Sequence, residues 1–436
     1  MNPGGKAKQA TQASSTAVRA SGRRYIWAAI VLAAGVLGFA FWFRERILWD
    51  FRLYYAAAWL YGQGRNPFDN QLLFSIPNLD PMPFTYPLPT TFLFMPLTKL
   101  DYSAAALVWF GVISVLLGLL VVFWWRQFSG SRREAWFPLL ALLVFNLAVP
   151  KTLLTGNVVT METALLWVAF FFLAKGNLPG FVAFLLPAAS FKMSPLLFLG
   201  LPLIHPQMRR WKTVAAGGAL FAGYMAAGYG LAPGWFKDYQ ANVSFNVKEW
   251  SQADSFNPST YALSRRLVSI ILPALGPQSS LLCSGLLYGL VSVVVLWMSW
   301  KVGRALAGRT WGAAGRPAIL YATLVYALIM PRMSDYSYIL VIPAALYVAG
   351  TILSPSRSIY LIAALLAPLP FISFRDPGSG KMEGDFFFGH WGYWSLLMVF
   401  VCWCLFTRLV ISSPGSPAPT SRARRKLLDG CLRTYW

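Results

Sequence analysis

Apolar runs long enough to cross a bilayer recur along the chain, among them residues 25–43, 103–125, 279–300 and 391–406. A spanning helix needs roughly 20 such residues. The runs are continuous rather than alternating, so they predict helices and exclude a transmembrane barrel built from short alternating strands. Loop parity and run length together predict an even number of spans, about twelve. Apolar pieces between Pro138 and Ile204 are short, and the bundle is expected to contain re-entrant or half-length helices. The fold class is therefore all-α integral membrane, a polytopic helical bundle.

Polar and flexible sequence marks the ends and one side. Residues 1–24 are rich in Ala, Ser, Gly and basic residues, and 411–436 in Ser, Pro and Arg, so neither can bury a core. The folded unit is one membrane domain, 25–410. Segment 44–101 is far longer than a connecting turn and mixes charges, aromatics and prolines, the kind of loop that carries function. Within it FRLYYAAAWLYGQG predicts a short amphipathic helix that starts after Asp50, ends at Gly62 or Gly64 and lies along the membrane surface. A second large outer segment spans 232–266. Shorter ones surround PRMSDYSY (331–338) and FRDPGSGKMEGD (374–385).

Composition agrees: the 436 residues are 57% hydrophobic but only 12% charged, about half the charged share of a soluble domain. The net charge of +22 raises nucleic acid as a partner, and the distribution of that charge decides against it. The two tails and alternate loops near Arg132, Lys175, Arg209, Lys301, Arg316 and Arg357 hold 23 of the 37 Lys and Arg, but only Glu134 and Asp429 among acids. The other segments carry 14 basic and 13 acidic residues, so nearly the whole excess is a positive-inside signal. Both termini are expected in the cytoplasm of a multi-pass protein of the plasma (inner) membrane, with no nucleic acid and the lipid bilayer itself as a partner. Four scattered cysteines and only His205 and His390 imply no disulfide framework, no metal site and no cofactor.

Few ionisable residues stand where they can do chemistry. Asp50 lies at the outer end of the first predicted span between Trp49 and Phe51. Partial desolvation there raises its pKa and makes it a better proton acceptor. Alternatively it N-caps the following helix, and position alone leaves both readings open. Lys192 sits in an apolar stretch, where a charge costs at least about 2.5 kcal/mol at helix centre, so it must face a cavity or a partner such as Glu162. A structural ion pair or a snorkelling lysine is the plain alternative. Arg332 and Asp335 form a candidate pair in the late outer loop, either as ligands or as an ordinary salt bridge. Tyr54, Tyr55 and Tyr86 either line a binding site or anchor the chain at the interface.

The string ILWDFRLYYAAAWLYGQGRNPFD, FTYPLPTTFLFMPL from Phe84 to Leu97, Gly156 and Asn157 before a helix, ASFKMSPLL with Lys192 and Pro195, and PRMSDYSY follow one another in order. In that order they resemble glycosyltransferase family 87, the polyprenol-phosphate-mannose-dependent α-mannosyltransferases with the C-type membrane fold. Many relatives carry glutamine where Asn157 stands and histidines where Asp335, Tyr336 or Ser337 stand.

The resemblance implies transfer of a sugar, mannose or a related hexose or pentose, from a polyprenyl-phosphate donor to a hydroxyl of a glycolipid or glycan acceptor. Transfer would occur on the extracytoplasmic face with inversion, Asp50 being the base. Arg52, Lys192 and Arg332 are candidates for holding the leaving phosphate, and Tyr54, Tyr86, Asn157 and Asp335 for lining the substrate site. No DxD carboxylate pair is present, so a metal-independent reaction is expected. The rival reading is a polytopic transporter or flippase, which many spans and an intramembrane Lys192 and Glu162 also permit.

Overall fold

The computed structural model describes residues 48–76, 82–128, 137–208, 210–250, 257–352, 355–366 and 393–412, and all regular structure among them is helical. The order is α1 (Trp49–Gly62), α2 (Tyr102–Gln127), α3 (Phe137–Thr155), α4 (Val159–Ala174), α5 (Leu178–Phe191), α6 (Trp211–Leu231), α7 (Pro233–Trp250), α8 (Thr260–Ile271), α9 (Pro277–Ala307), α10 (Trp311–Ile329), α11 (Pro355–Leu366) and α12 (Trp394–Ser412).

Among the described residues five helices, α2, α3, α9, α10 and α12, are long and apolar enough to cross a membrane, although α3 is broken at Val144–Leu147, where Phe145, Asn146 and Leu147 take positive φ. A sixth arises if α6 and α7, bent by 113° at their junction, count as one span. Helices α4 and α5, the segments Ser194–Ile204 and Asp335–Gly350, and α11 from Arg357 are apolar but only 10–17 residues long. At about 1.5 Å per residue they fall short of a roughly 30 Å hydrocarbon layer. Several of the apolar runs thus resolve into short helices rather than into further full spans. The first predicted span, 25–43, and the string 374–385 expected on the outer side lie outside the described residues. On α9, Leu282, Leu286, Leu290 and Val293 all point outward, the surface a lipid-facing helix presents. The chain is a multi-pass membrane protein.

Helix α1 corrects the sequence reading. It starts at Trp49, with Asp50 in its first turn, and stops at Gly62. Instead of one buried face it buries Phe51, Leu53, Tyr54, Ala56, Ala57, Ala58 and Leu60. The cause is local: the helices Pro89–Phe94 and Met95–Lys99 fold back over it, and its alanines admit close approach. Aromatic rings close the contact, Phe51 to Phe94 at 6.0 Å and Phe94 to Trp109 at 4.7 Å.

Two long polar segments, 44–101 and 232–266, are clasped together where they are described. Asn66 donates to Asp238 at 2.7 Å, Asn70 donates to Asn242 at 2.7 Å, and the Asn242 amide donates to the Phe68 carbonyl at 2.9 Å. Asp69 caps the short helix Asn70–Phe74 by accepting from the Gln71 and Leu72 N–H groups.

Candidate active site

The site is built where α1 meets the turn between α3 and α4. The Leu48 N–H donates to the Leu154 carbonyl at 2.7 Å, and the Trp109 indole N–H to the Gly156 carbonyl at 2.8 Å. Gly156 has φ +66, and a Cβ there would lie 2.8 Å from Leu48 Cδ2 and 3.0 Å from Phe51 Cβ. Only glycine admits both the left-handed backbone and the close approach.

Asn157, the next residue, is fully buried. Its Oδ1 accepts the Val159 N–H, the first of α4, at 2.8 Å. An N–H cannot donate to an amide NH2, so this contact fixes the side chain with Nδ2 turned outward. Nδ2, which carries two hydrogens, then faces three acceptors, Asp50 Oδ2 at 2.8 Å and the Tyr86 and Tyr336 hydroxyls at 3.1 Å each. Tyr54 completes the wall: its hydroxyl accepts the Val158 N–H at 3.4 Å, and its ring stands edge-on to Tyr86 at 4.9 Å.

Asp50 is therefore not the N-cap of α1. That position is Leu48, at φ 61 and with no side-chain cap bond. The carboxylate is spent on Asn157 instead. Burial pushes the Asp50 pKa up to about 6, against the downward pull of the Asn157 hydrogen bond and of the positive Lys192 and Arg332. Burial likewise raises the Tyr86 hydroxyl above its ordinary value, which keeps it protonated.

Lys192 reaches the cluster from the end of α5, with Nζ 5.8 Å above the Tyr336 ring and 3.9 Å from Glu162 Oε2. Arg332 is exposed. It does not pair with Asp335, contrary to the loop salt bridge considered from the sequence. Asp335 is bound by Lys151 Nζ at 2.6 Å, because α3 passes directly beside the 3-10 segment Asp335–Val341. Arg52 is turned toward α2, with Nε donating to the Tyr102 hydroxyl at 3.4 Å and the guanidinium 5.1 Å over that ring. Two places after Asp50 on a helix is roughly the opposite side. Tyr55 also points away, donating to the Leu100 carbonyl at 2.7 Å.

Two residues escaped the sequence reading. Lys151 sits in the apolar run AVPKTLL, and the argument that singled out Lys192 applied to it equally. Tyr336 lay in a recognised string, but nothing local indicates that its hydroxyl meets Asn157. Among the described residues no three His, Cys, Asp or Glu side chains come together to hold a metal ion. An apolar cavity of about 80 Å³ lined by Leu201, Val302, Trp311 and Ile319 lies apart from this cluster. The histidine on its wall, His205, is held by the Arg309 carbonyl at 2.8 Å.

The family model of glycosyltransferase family 87 matches residues 84–334, more than half of the chain. Tyr86, Asn157, Lys192 and Arg332 fall inside the match, and Asp50 precedes it. No curated protein and no solved structure matches the chain.

Proposed function

Because the chain belongs to glycosyltransferase family 87 and is a membrane glycosyltransferase, we propose that it transfers a sugar from a polyprenyl-phosphate carrier to an acceptor hydroxyl on the extracytoplasmic face. The sugar is mannose or a related hexose or pentose, and the acceptor a glycolipid or glycan. The acceptor oxygen attacks the anomeric carbon from the side opposite the phosphate, which inverts that centre. The bond from carbon to phosphate oxygen breaks and its electron pair leaves with the phosphate. The acceptor proton passes to Asp50.

One observation carries this reading: a buried carboxylate, oriented by Asn157 at 2.8 Å, with Lys192 and Arg332 as the positive groups that act on it. A base with a pKa of about 6 is ionised at neutral pH yet more basic than an exposed aspartate, which favours proton uptake as the new bond forms. Asn157 occupies Oδ2 and leaves Oδ1 to take the proton. Lys192 and Arg332 stabilise the charge that develops on the departing phosphate. Tyr54 and Tyr86 line the sugar side, and Lys151 holds Asp335 so that Tyr336 reaches Asn157. Arg52, engaged by Tyr102, has no part in this scheme.

The charge asymmetry of the loops supports placing the site outside a plasma membrane, with both termini in the cytoplasm. The test is direct. Purified protein in nanodiscs, given sugar-loaded polyprenyl phosphate and membrane glycolipid acceptors, should release polyprenyl phosphate. A carrier left intact while solute crosses the bilayer would establish transport instead.

A further inference from the structure

Resting on the reading of a lipid-linked sugar donor, we propose that Glu162 is the residue that recognises the donor sugar, accepting a hydrogen bond from one of its hydroxyls. Glu162 lies in the first turn of α4, and only 7% of its side chain is exposed. The transfer chemistry assigned to Asp50, Lys192 and Arg332 does not use it. Its Oε2, the atom facing Lys192, is buried and has no hydrogen-bond partner. Buried carboxylate oxygens are costly without donors, so an unmet one beside a reaction site is a place for a ligand's donor.

Distance argues the same way. Oε2 and Lys192 Nζ are 3.9 Å apart, too far for a direct hydrogen bond. One hydroxyl oxygen fits the gap, accepting from the ammonium and donating to the carboxylate at about 2.8 Å to each. A carbohydrate hydroxyl has that double character, whereas a phosphate oxygen only accepts and would meet the carboxylate as a repelling charge. Lys192 links this point to the base, since it also lies 5.8 Å over the ring of Tyr336, whose hydroxyl shares Asn157 with Asp50. Lys192 thus stands between two groups, Glu162 on one hand and the Tyr336–Asn157–Asp50 set on the other. A site built to pair a particular hydroxyl discriminates strongly against sugars that lack it, because the carboxylate is then left unmet.

The test compares ligands with and without the sugar. Binding of farnesyl phosphate and of its mannosyl, glucosyl and galactosyl phosphodiesters is measured for full-length wild type, Glu162→Gln and Glu162→Asp in nanodiscs. Wild type should bind at least one sugar-bearing probe more tightly than farnesyl phosphate. Both variants should lose that increment, about tenfold in Kd, while binding farnesyl phosphate as wild type does. An equal loss for all four probes would mean that Glu162 merely holds Lys192, and would overturn the proposal. So would an increment that survives in both variants. Absence of an increment in wild type overturns the subsite but leaves the carrier reading standing, whereas failure of wild type to bind any of the four removes the carrier reading and the subsite with it.

Discussion

Asn157 holds Asp50 at 2.8 Å with one end of its amide while the other end accepts the Val159 N–H, the first of α4, at 2.8 Å. Asp50 is thereby tied to a residue 107 positions later in the chain. Asn157→Ala should lower turnover about 10- to 100-fold, the worth of a hydrogen bond to a charged group. Because that bond pulls the Asp50 pKa down, the acid limb of the kcat/KM profile should move above pH 6. A merely structural loss would lower the plateau and leave the limb in place.

Asp50→Asn keeps the size and a hydrogen-bonding oxygen for Asn157 but cannot take a proton. Turnover should fall by about 10² to 10⁴. Stability should move the other way. A folded value of about 6 against an ordinary 3.8 means the folded state binds more protons between those values. Ionised Asp50 therefore costs stability increasingly as pH rises across that window. In thermal melts the advantage of the Asn variant should grow from about pH 4 to about pH 6 and stay constant above. Near-normal turnover by a folded Asp50→Asn protein would send the search for the base to Asp335.

Lys192→Ala and Arg332→Ala should each weaken farnesyl phosphate binding about tenfold, as expected of a lost charge-assisted contact. Asp69→Asn, which alters only a helix cap, should leave it unchanged. Titration in nanodiscs decides the matter, and two variants with wild-type affinity would remove both residues from the phosphate site.

Gly156→Ala should destabilise the protein by about 1–3 kcal/mol from the left-handed backbone alone, with the clash against Leu48 and Phe51 added. Melting temperature and turnover should drop together, since the shift separates Asn157 from Asp50. A stable, active alanine variant would show that the turn relaxes without cost.

Orientation can be checked with cysteines placed at Asn70 and at Arg132 in a cysteine-free background. An impermeant thiol reagent should label Asn70→Cys in intact cells and spare Arg132→Cys. The reverse pattern would invert the topology.

Hydropathy and charge placement are properties of the chain read in order, so membrane class and the family strings were legible without a structure. The span at α2 was equally plain, because burial in lipid needs only a long apolar run. Helix α1 was misread, since its apolar residues fall on most of its sides and only the fold-back of residues 89–99 says what covers them. Lys151 and Asp335 looked unrelated because 184 positions separate them, and Arg332 was the nearer partner for Asp335 in sequence. The convergence of Tyr86, Tyr336 and Asp50 on one amide spans up to 179 positions. No local pattern encodes such a meeting: it depends on how helices stack, and stacking is decided by the shapes of many side chains at once.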